Sequence, residues 1–578
     1  MSQGTEGTPQ APLTSPEAES PLLGQGEVPT IAKGHPAGLW VLFITEMWER
    51  FSYYGMRALL VLYLTASTAP MIIKNGSEAA NSNPGFGWGD ADAYTLYGTY
   101  TFMVYVTSIF GGLIADKLLG THKSLIVGGW LIALGHICLA LTELFGYQQD
   151  AAVGMDTAAG RVLMFMAGLS LIIIGTGFFK PCVSVMVGQL YEKDDPRRDS
   201  GFTIYYMGIN LGAFFSPLVA GWLAQRFGWH WGFGSAAVGM LAAMACYIAM
   251  RARYMREIGL APLGGMQPKD RKFVAGALIG MIAVPVLPLV LYATGGLSAV
   301  TSAWGSFFRA VGGEFGVAAV FATLLVCSAT TFLLMQPKEE RSRIAVIFVL
   351  AIIGNIFFWT AFEQAGSSMT IFADRNTDLT LWGMMGKAAD GTANEFPAAW
   401  YQSVNPMGIL IFGGLFSWLW VFLERKRKDP STPMKFAIGL WLLGLAFIAM
   451  VLGAMEAKNG KAGAHWLLIT YLVYTWGELC LSPVGLSMVT KLAPMRLQSL
   501  MMGLWWFTFA LSNLTAGLVA VFSTRFVPDP DTGAAASSKF IIEGLPGFFL
   551  MLVVFPIAAG IVIALLSPML KKMMRGVK

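Results

Sequence analysis

The feature that most constrains this chain is charge placed where apolar residues are demanded. Residues 37–64 form one apolar segment, longer than the roughly 20 residues a helix needs to cross a bilayer. Inside it lies Thr45-Glu46-Met47-Trp48-Glu49-Arg50-Phe51-Ser52-Tyr53-Tyr54-Gly55-Met56-Arg57. At about 100° per residue, Glu46, Glu49, Arg50, Tyr53 and Arg57 fall on one helix face. A charge in hydrocarbon costs roughly 2.5–3.5 kcal/mol even on the mildest scale. The face must therefore meet a wet cavity or opposite charges supplied by other segments.

Composition sets the class. Of 578 residues, 55% are hydrophobic and 13% charged, against about 25% charged in soluble proteins. With a mean hydropathy of +0.59, the chain reads as a polytopic membrane protein. A net charge of +5 is too small in a chain this long to indicate nucleic-acid binding. It fits the basic excess of cytoplasmic loops instead. Cys138, Cys182, Cys246, Cys327 and Cys480 lie in apolar runs without paired or metal-like spacing, which predicts packing roles and no disulfide. Residues 1–36 are rich in Pro, Gly, Ser, Thr and Glu. They are expected to form a disordered cytoplasmic tail with no cleavable signal peptide.

Fourteen apolar segments can be marked, near 37–66, 92–118, 122–146, 161–190, 201–226, 230–254, 272–295, 314–335, 343–373, 399–424, 434–456, 464–490, 497–524 and 543–570. Basic residues gather in every second connection, from Lys117/His122/Lys123 to Lys571/Lys572/Arg575/Lys578. The alternate connections at 68–91, 147–160, 374–398 and 525–542 are long and sparsely basic. That alternation predicts an even number of spans with both termini cytoplasmic. Segments 272–295 and 314–335 lack internal charge, and Pro285 and Pro288 are expected to interrupt the first of them. Setting this pair aside leaves six spans in 37–256 and six in 341–578, joined by a 257–340 linker. The expected fold is all-α: two six-helix bundles plus two extra central helices, in the layout of the major facilitator fold with its midplane site. Gly111 to Lys123, a Gly-rich helix end followed by Asp116 and basic residues, resembles the cytoplasmic turn motif of that fold.

Three more sites place charge or polarity inside spans. Lys180 lies in Gly175-Thr176-Gly177-Phe178-Phe179-Lys180-Pro181. It is about ten residues or more from either end of its span, too deep for easy snorkelling. Asn355, Trp359 and Glu363 are spaced four apart, and so are Tyr474, Glu478 and Ser482. Each set shares a helix stripe, and the Asn, Ser and Tyr are equally open to a reading as plain polar helix contacts. Glu46, Glu49, Glu363 and Glu478 then face Arg50, Arg57 and Lys180. Ion pairs that break and re-form would let a carboxylate exchange a proton as its cation moves away. Cations at one end of a cavity and a carboxylate at the other suit a zwitterion. Arg offers a fork that matches a carboxylate, and Tyr53, Tyr54, Tyr97, Tyr105, Trp359 and Trp476 would supply apolar walls.

Glu46-x-x-Glu49-Arg50-Phe51-x-Tyr53-Tyr54-Gly55 resembles the first-span signature of the proton-coupled oligopeptide transporter family. Gly111 through Gly135, Phe202 through Gly212, and Gly477-Glu478-x-x-x-Ser482-Pro483 resemble further signatures of the same family. The likeness runs from about Pro36 to Leu570, and the extra central pair is similar to bacterial members. The resemblance implies proton coupling by Glu46, Glu49 and Arg50, with Lys180 paired to that cluster and Glu363 a further proton site. It implies that Arg57 and Lys180 face the peptide carboxylate. Glu478 would receive the peptide amino group, assisted by Asn210 and Asn405, and Tyr53, Tyr54 and Tyr105 would line the pocket. Animal members carry a second-span histidine where this chain has Gly98. His136, on the third span, reads as a satisfied core residue. The coupling is therefore expected to rest on carboxylates.

The expected function is a monomeric symporter in the bacterial inner membrane that imports di- and tripeptides with protons and needs no other cofactor. A proton-coupled carrier of nitrate, amino acids or drugs is the alternative; the nitrate-carrying plant relatives typically lose the first-span Glu pattern retained here. No His-Glu-x-x-His, Gly-x-Ser-x-Gly or phosphate-binding Gly-x-x-x-x-Gly-Lys-Ser/Thr occurs, which argues against a peptidase or an ATP-driven pump.

Overall fold

The computed structural model describes residues 30–31, 34–69, 71–74, 77–80, 83–145, 159–192, 195–261, 266–293, 323, 326–381, 383–387, 394–528 and 536–575. Their regular structure is helical apart from three short antiparallel ribbons and an isolated bridge. Thr30–Ile31 pairs with His35–Pro36, and His35 Nδ1 lies 2.8 Å from the Tyr191 hydroxyl. The last residues of the expected disordered tail are thus placed against the helices, while residues 1–29 lie outside the described residues.

Six long helices come first: α1 Ala37–Thr65, α2 Asp90–Ile114, α3 Gly120–Leu141, α4 Ala159–Gln189, α5 Arg198–Phe227 and α6 Trp229–Tyr254. Next is α7, Arg271–Ala293. It runs unbroken through Pro285 and Pro288, so the expected interruption does not occur. Membrane helices tolerate proline where neighbouring helices and local adjustment re-satisfy the freed backbone groups; the Ser170 hydroxyl, donating to the Pro285 carbonyl at 3.0 Å, ties α7 to α4 beside these prolines. The expected segment 314–335 lies largely outside the described residues; Val326–Met335 is helical.

The remaining helices are α8 Lys338–Val349, α9 Phe357–Phe362, α10 Ser368–Asn376, α11 Val404–Arg425, α12 Thr432–Glu456, α13 His465–Leu492, α14 Gln498–Ser523 and α15 Leu545–Met573. Over the expected segment 343–373 the backbone stays helical through a widened stretch at Leu350–Ile356 that joins α8 to α9, and it is broken once, where a tight turn at Glu363–Gly366 and Ser367 lead into α10. Irregular backbone at membrane depth is tolerated where it is buried in protein or lines a cavity, and Glu363 stands at this break.

Among the described residues ten helical stretches are long and apolar enough to cross a membrane, and one of them, Asp90–Phe145, is 56 residues long and contains both α2 and α3. With 29 residues α1 has the length as well; its four charges set it apart. It is buried along nearly its whole length and packs against α5 and α6. The helices gather into an N-terminal group, α1–α6, and a C-terminal group, α8–α15, with α7 docked on α2 and α4. His136 is fully buried in the first group, as expected of a core histidine, and neither ring nitrogen has a hydrogen-bond partner among the described residues.

Candidate functional site

The charged face of α1 carries two ion-pair groups about two turns apart. In the first, Arg50 Nε lies 2.7 Å from Glu46 Oε1 and 3.0 Å from Glu49 Oε2. All three residues are buried. In the second, Arg57 pairs through Nη2 with Glu363 at the break after α9. Its Nε donates to the Tyr97 hydroxyl at 2.5 Å, and its guanidinium lies 5.5 Å from the Tyr97 ring centroid. That hydroxyl approaches Gly366 so closely that a Cβ there would collide with it. Helix and tight turn therefore bring α1, α2 and the broken helix to one point.

The contacts that join the two groups gather at this end of the molecule. Besides Arg57–Glu363, Arg375 at the end of α10 makes two 2.9 Å bonds to Asp90 at the start of α2. Trp400 Nε1 donates to the Leu218 carbonyl at 3.0 Å and Gln225 Nε2 to the Glu395 carbonyl at 3.1 Å. On α2 and α14 the backbones touch at Gly98 and Gly517, where a Cβ on either would stand 2.7 Å from the other's Cα. The place of the animal histidine is thus filled by a backbone contact between the groups.

Below this closure lies a cavity of about 230 Å³. It is smaller than the roughly 300–1,000 Å³ of drug-sized pockets, a size for a small solute and not for a folded polypeptide. Arg50, Tyr54, Arg57, Tyr105, Lys180 and Asn210 line it from the N-terminal group. Trp359, Glu363, Asn405, Glu478 and Ser482 line it from the other. Basic groups and carboxylates therefore both line the space, and Arg57 and Glu363 meet directly at its edge. Glu478 Oε2 accepts from Asn405 Nδ2 at 2.8 Å, and the same nitrogen lies 3.0 Å from Thr475 Oγ1.

Several sequence expectations meet a different geometry. Lys180 makes no ion pair with Glu46 or Glu49; its Nζ stands over the Tyr105 ring, 3.4 Å from the centroid. A cation–π contact of this kind takes the place of a second carboxylate partner. Asn210 reaches the cavity but donates to the carbonyl of Tyr206 on its own helix, at 2.9 Å, and not to Glu478. Tyr53 is set back from the cavity, edge-on to Tyr54 with ring centroids 5.2 Å apart. Trp476 does not line the cavity either and packs edge-on to Phe412. Two residues along a helix is a turn of about 200°, so a stripe through Tyr474 and Glu478 leaves Trp476 on the opposite face.

The cavity also holds residues that the sequence reading missed. Phe509 of α14 sits edge-on to Tyr105 and to Trp359, with centroids 4.7 and 4.6 Å away. Nothing in the apolar run around it marks it out. Tyr206 and Tyr471 also line the cavity. Tyr206 belongs to the quoted fifth-span stretch, and Tyr471 extends the Tyr474–Glu478–Ser482 stripe by one turn.

Comparison with known proteins agrees over nearly the full length. The uncharacterized transporter YclF of Bacillus subtilis is 36% identical over 549 residues, covering 94% of this chain and 96% of the relative. The di-/tripeptide transporter of Lactococcus lactis subsp. cremoris is 33% identical over 549 residues, 94% of this chain and 98% of the relative. A crystal structure of a peptide transporter POT in complex with sulfate superposes with a TM-score of 0.73 at 32% identity, covering 95% of this chain and 98% of the other. The POT family (PTR2) matches residues 122–534, and this multi-pass membrane protein belongs to that family.

Proposed function

We propose that this protein imports di- and tripeptides together with protons, by alternating access around the cavity between its two helical groups. The observation that carries the proposal is the polarity of that cavity. Arg57 and Lys180 stand on one wall, and the Glu478–Asn405 pair stands on the other. A zwitterion with separated termini complements this arrangement, with its carboxylate toward the cations and its ammonium toward Glu478. The likeness to the di-/tripeptide transporter of Lactococcus points to the same substrates. Tyr54, Tyr105 and Trp359 supply apolar wall to side chains of varied shape. Tyr53 and Trp476 act from behind it, and Asn210 and Ser482 add polar edge.

In this reading Glu46, Glu49, Arg50 and Glu363 are the proton-coupling groups. Residues 37–256 and 341–578 form two six-helix bundles that rock about the site, and 257–340 links them with two further spans, fourteen in all. The layout is that of the major facilitator fold. Both termini face the cytoplasm of a bacterium, and the protein works as a monomer in the inner membrane, with protons its sole coupling ion. In this reading the contacts between Asp90 and Arg375 and between Arg57 and Glu363 stand at the outer side and hold it closed. Uptake of a labelled dipeptide into proteoliposomes under an inward acid gradient tests the proposal. Accumulation abolished by a protonophore and competed by unlabelled di- and tripeptides is expected. Uptake no greater than the protonophore control would overturn it.

A further inference from the structure

Lys180 stands on a helix that has lost a hydrogen bond beside it. Pro181 has no N–H to give, so the carbonyl of Gly177, four residues earlier, has no helical donor. That carbonyl turns onto α2, where a Cβ on Gly111 would collide with it. The backbones of α2 and α4 meet here because position 111 has no side chain. The same crossing is tied by Thr107 Oγ1 of α2, which donates to the Ile173 carbonyl of α4 at 3.0 Å. On its outer side the crossing is filled by Met281 of α7. The Met281 Cε would lie 3.0 Å from a Cβ on Gly111 and 2.9 Å from one on Gly177, and the residue is fully buried. The Ser170–Pro285 bond holds α7 to α4 one turn away. On the cavity side the Lys180–Tyr105 contact joins the same two helices.

We propose that Met281 is a positioning residue for Lys180: it wedges the α2–α4 crossing from outside and so fixes how the proline-weakened stretch of α4 packs on α2, which sets where the ammonium stands. The extra helix α7 thereby acts on the cavity without touching it. An unbranched thioether suits such an irregular gap. Removing it leaves a void beside a carbonyl that has no helical donor, and this stretch of α4 can relax into that void. The inference rests on the proposed role of Lys180 in holding the peptide carboxylate.

The test uses the full chain, with dipeptide uptake in proteoliposomes and amide hydrogen exchange over residues 176–184. Met281→Ala is expected to raise the peptide KM about three- to tenfold with little change in maximal rate, the pattern of lost binding. It should also shift the pH profile of uptake and speed exchange of those amides. Met281→Leu, of similar volume, should restore all three readouts. Ile279→Ala, at an exposed neighbouring position of α7, should change none. If Met281→Ala does not reconstitute, Met281→Val takes its place with the same expected direction. A KM and pH profile equal to wild type, or unaltered exchange over 176–184, would overturn the inference. If the wild-type protein accumulates no peptide, the proposed function falls, and the exchange comparison still decides whether Met281 fixes this stretch of α4.

Discussion

Arg50 and Arg57 lie seven residues apart on α1, yet their partners differ in kind. Arg50 is held by Glu46 and Glu49 of its own helix. Arg57 is held by Glu363, 306 positions away in the other helical group. An ion pair within one helix keeps its geometry when the groups move relative to one another. An ion pair between them must break for the closed end to open. The first cluster can store a change of protonation, and the second can convert such a change into movement. Glu478 is a third case: it has Asn405 as partner and no ion pair with Lys or Arg among the described residues. It is the carboxylate left available for a cationic ligand.

Removing Glu363 should have the largest effect, because it strands a buried guanidinium. Breaking a buried pair this way costs about 3–5 kcal/mol, so Glu363→Gln should lower the Tm and reduce uphill accumulation at least about a hundredfold. Accessibility of cysteines placed along α2 should shift toward the open outer end. Unchanged accessibility would show that the cross-group pair does not latch the closed state. Glu49→Gln should also abolish uphill accumulation while sparing peptide exchange, with no change in that accessibility. If it opens the outer end as Glu363→Gln does, the distinction between the clusters is lost.

Asn405→Ala removes a hydrogen bond to a charged group, worth roughly 1.5–3 kcal/mol. Peptide KM should rise about tenfold or more with the accessibility pattern intact. A normal KM would remove Glu478 from the binding site. The smallest effect is expected at Asp90–Arg375, which is partly exposed. Exposed pairs contribute about 0.2–1 kcal/mol, so Asp90→Asn should alter uptake less than about fivefold. A loss as large as that of Glu363→Gln would make this pair the principal latch.

Legibility in the sequence followed the range of each interaction. The expected segment 37–66 is a helix over Ala37–Thr65, 230–254 one over Trp229–Tyr254, and 434–456 one over Thr432–Glu456. Apolar run length and helical period decide these, and both are local. The same period placed Glu46, Glu49, Arg50 and Arg57 on one buried face. It could also have turned Trp476 away from the cavity, since that residue is two positions from Tyr474. Phe509 carried no such signal, because an aromatic in an apolar run is recognisable as cavity wall only when Tyr105 and Trp359 are seen beside it.

By itself the sequence determined that charge is buried in the membrane-spanning part of this chain, and which residues carry it. Tertiary structure alone decided the partners: Arg57 with Glu363, Lys180 over Tyr105, Gly98 against Gly517, Met281 behind the crossing of α2 and α4. Helical phase is a property of neighbouring residues, fixed by 3.6 residues per turn. Contact between residues hundreds of positions apart depends on how separate helices pack, and no spacing along the chain encodes that.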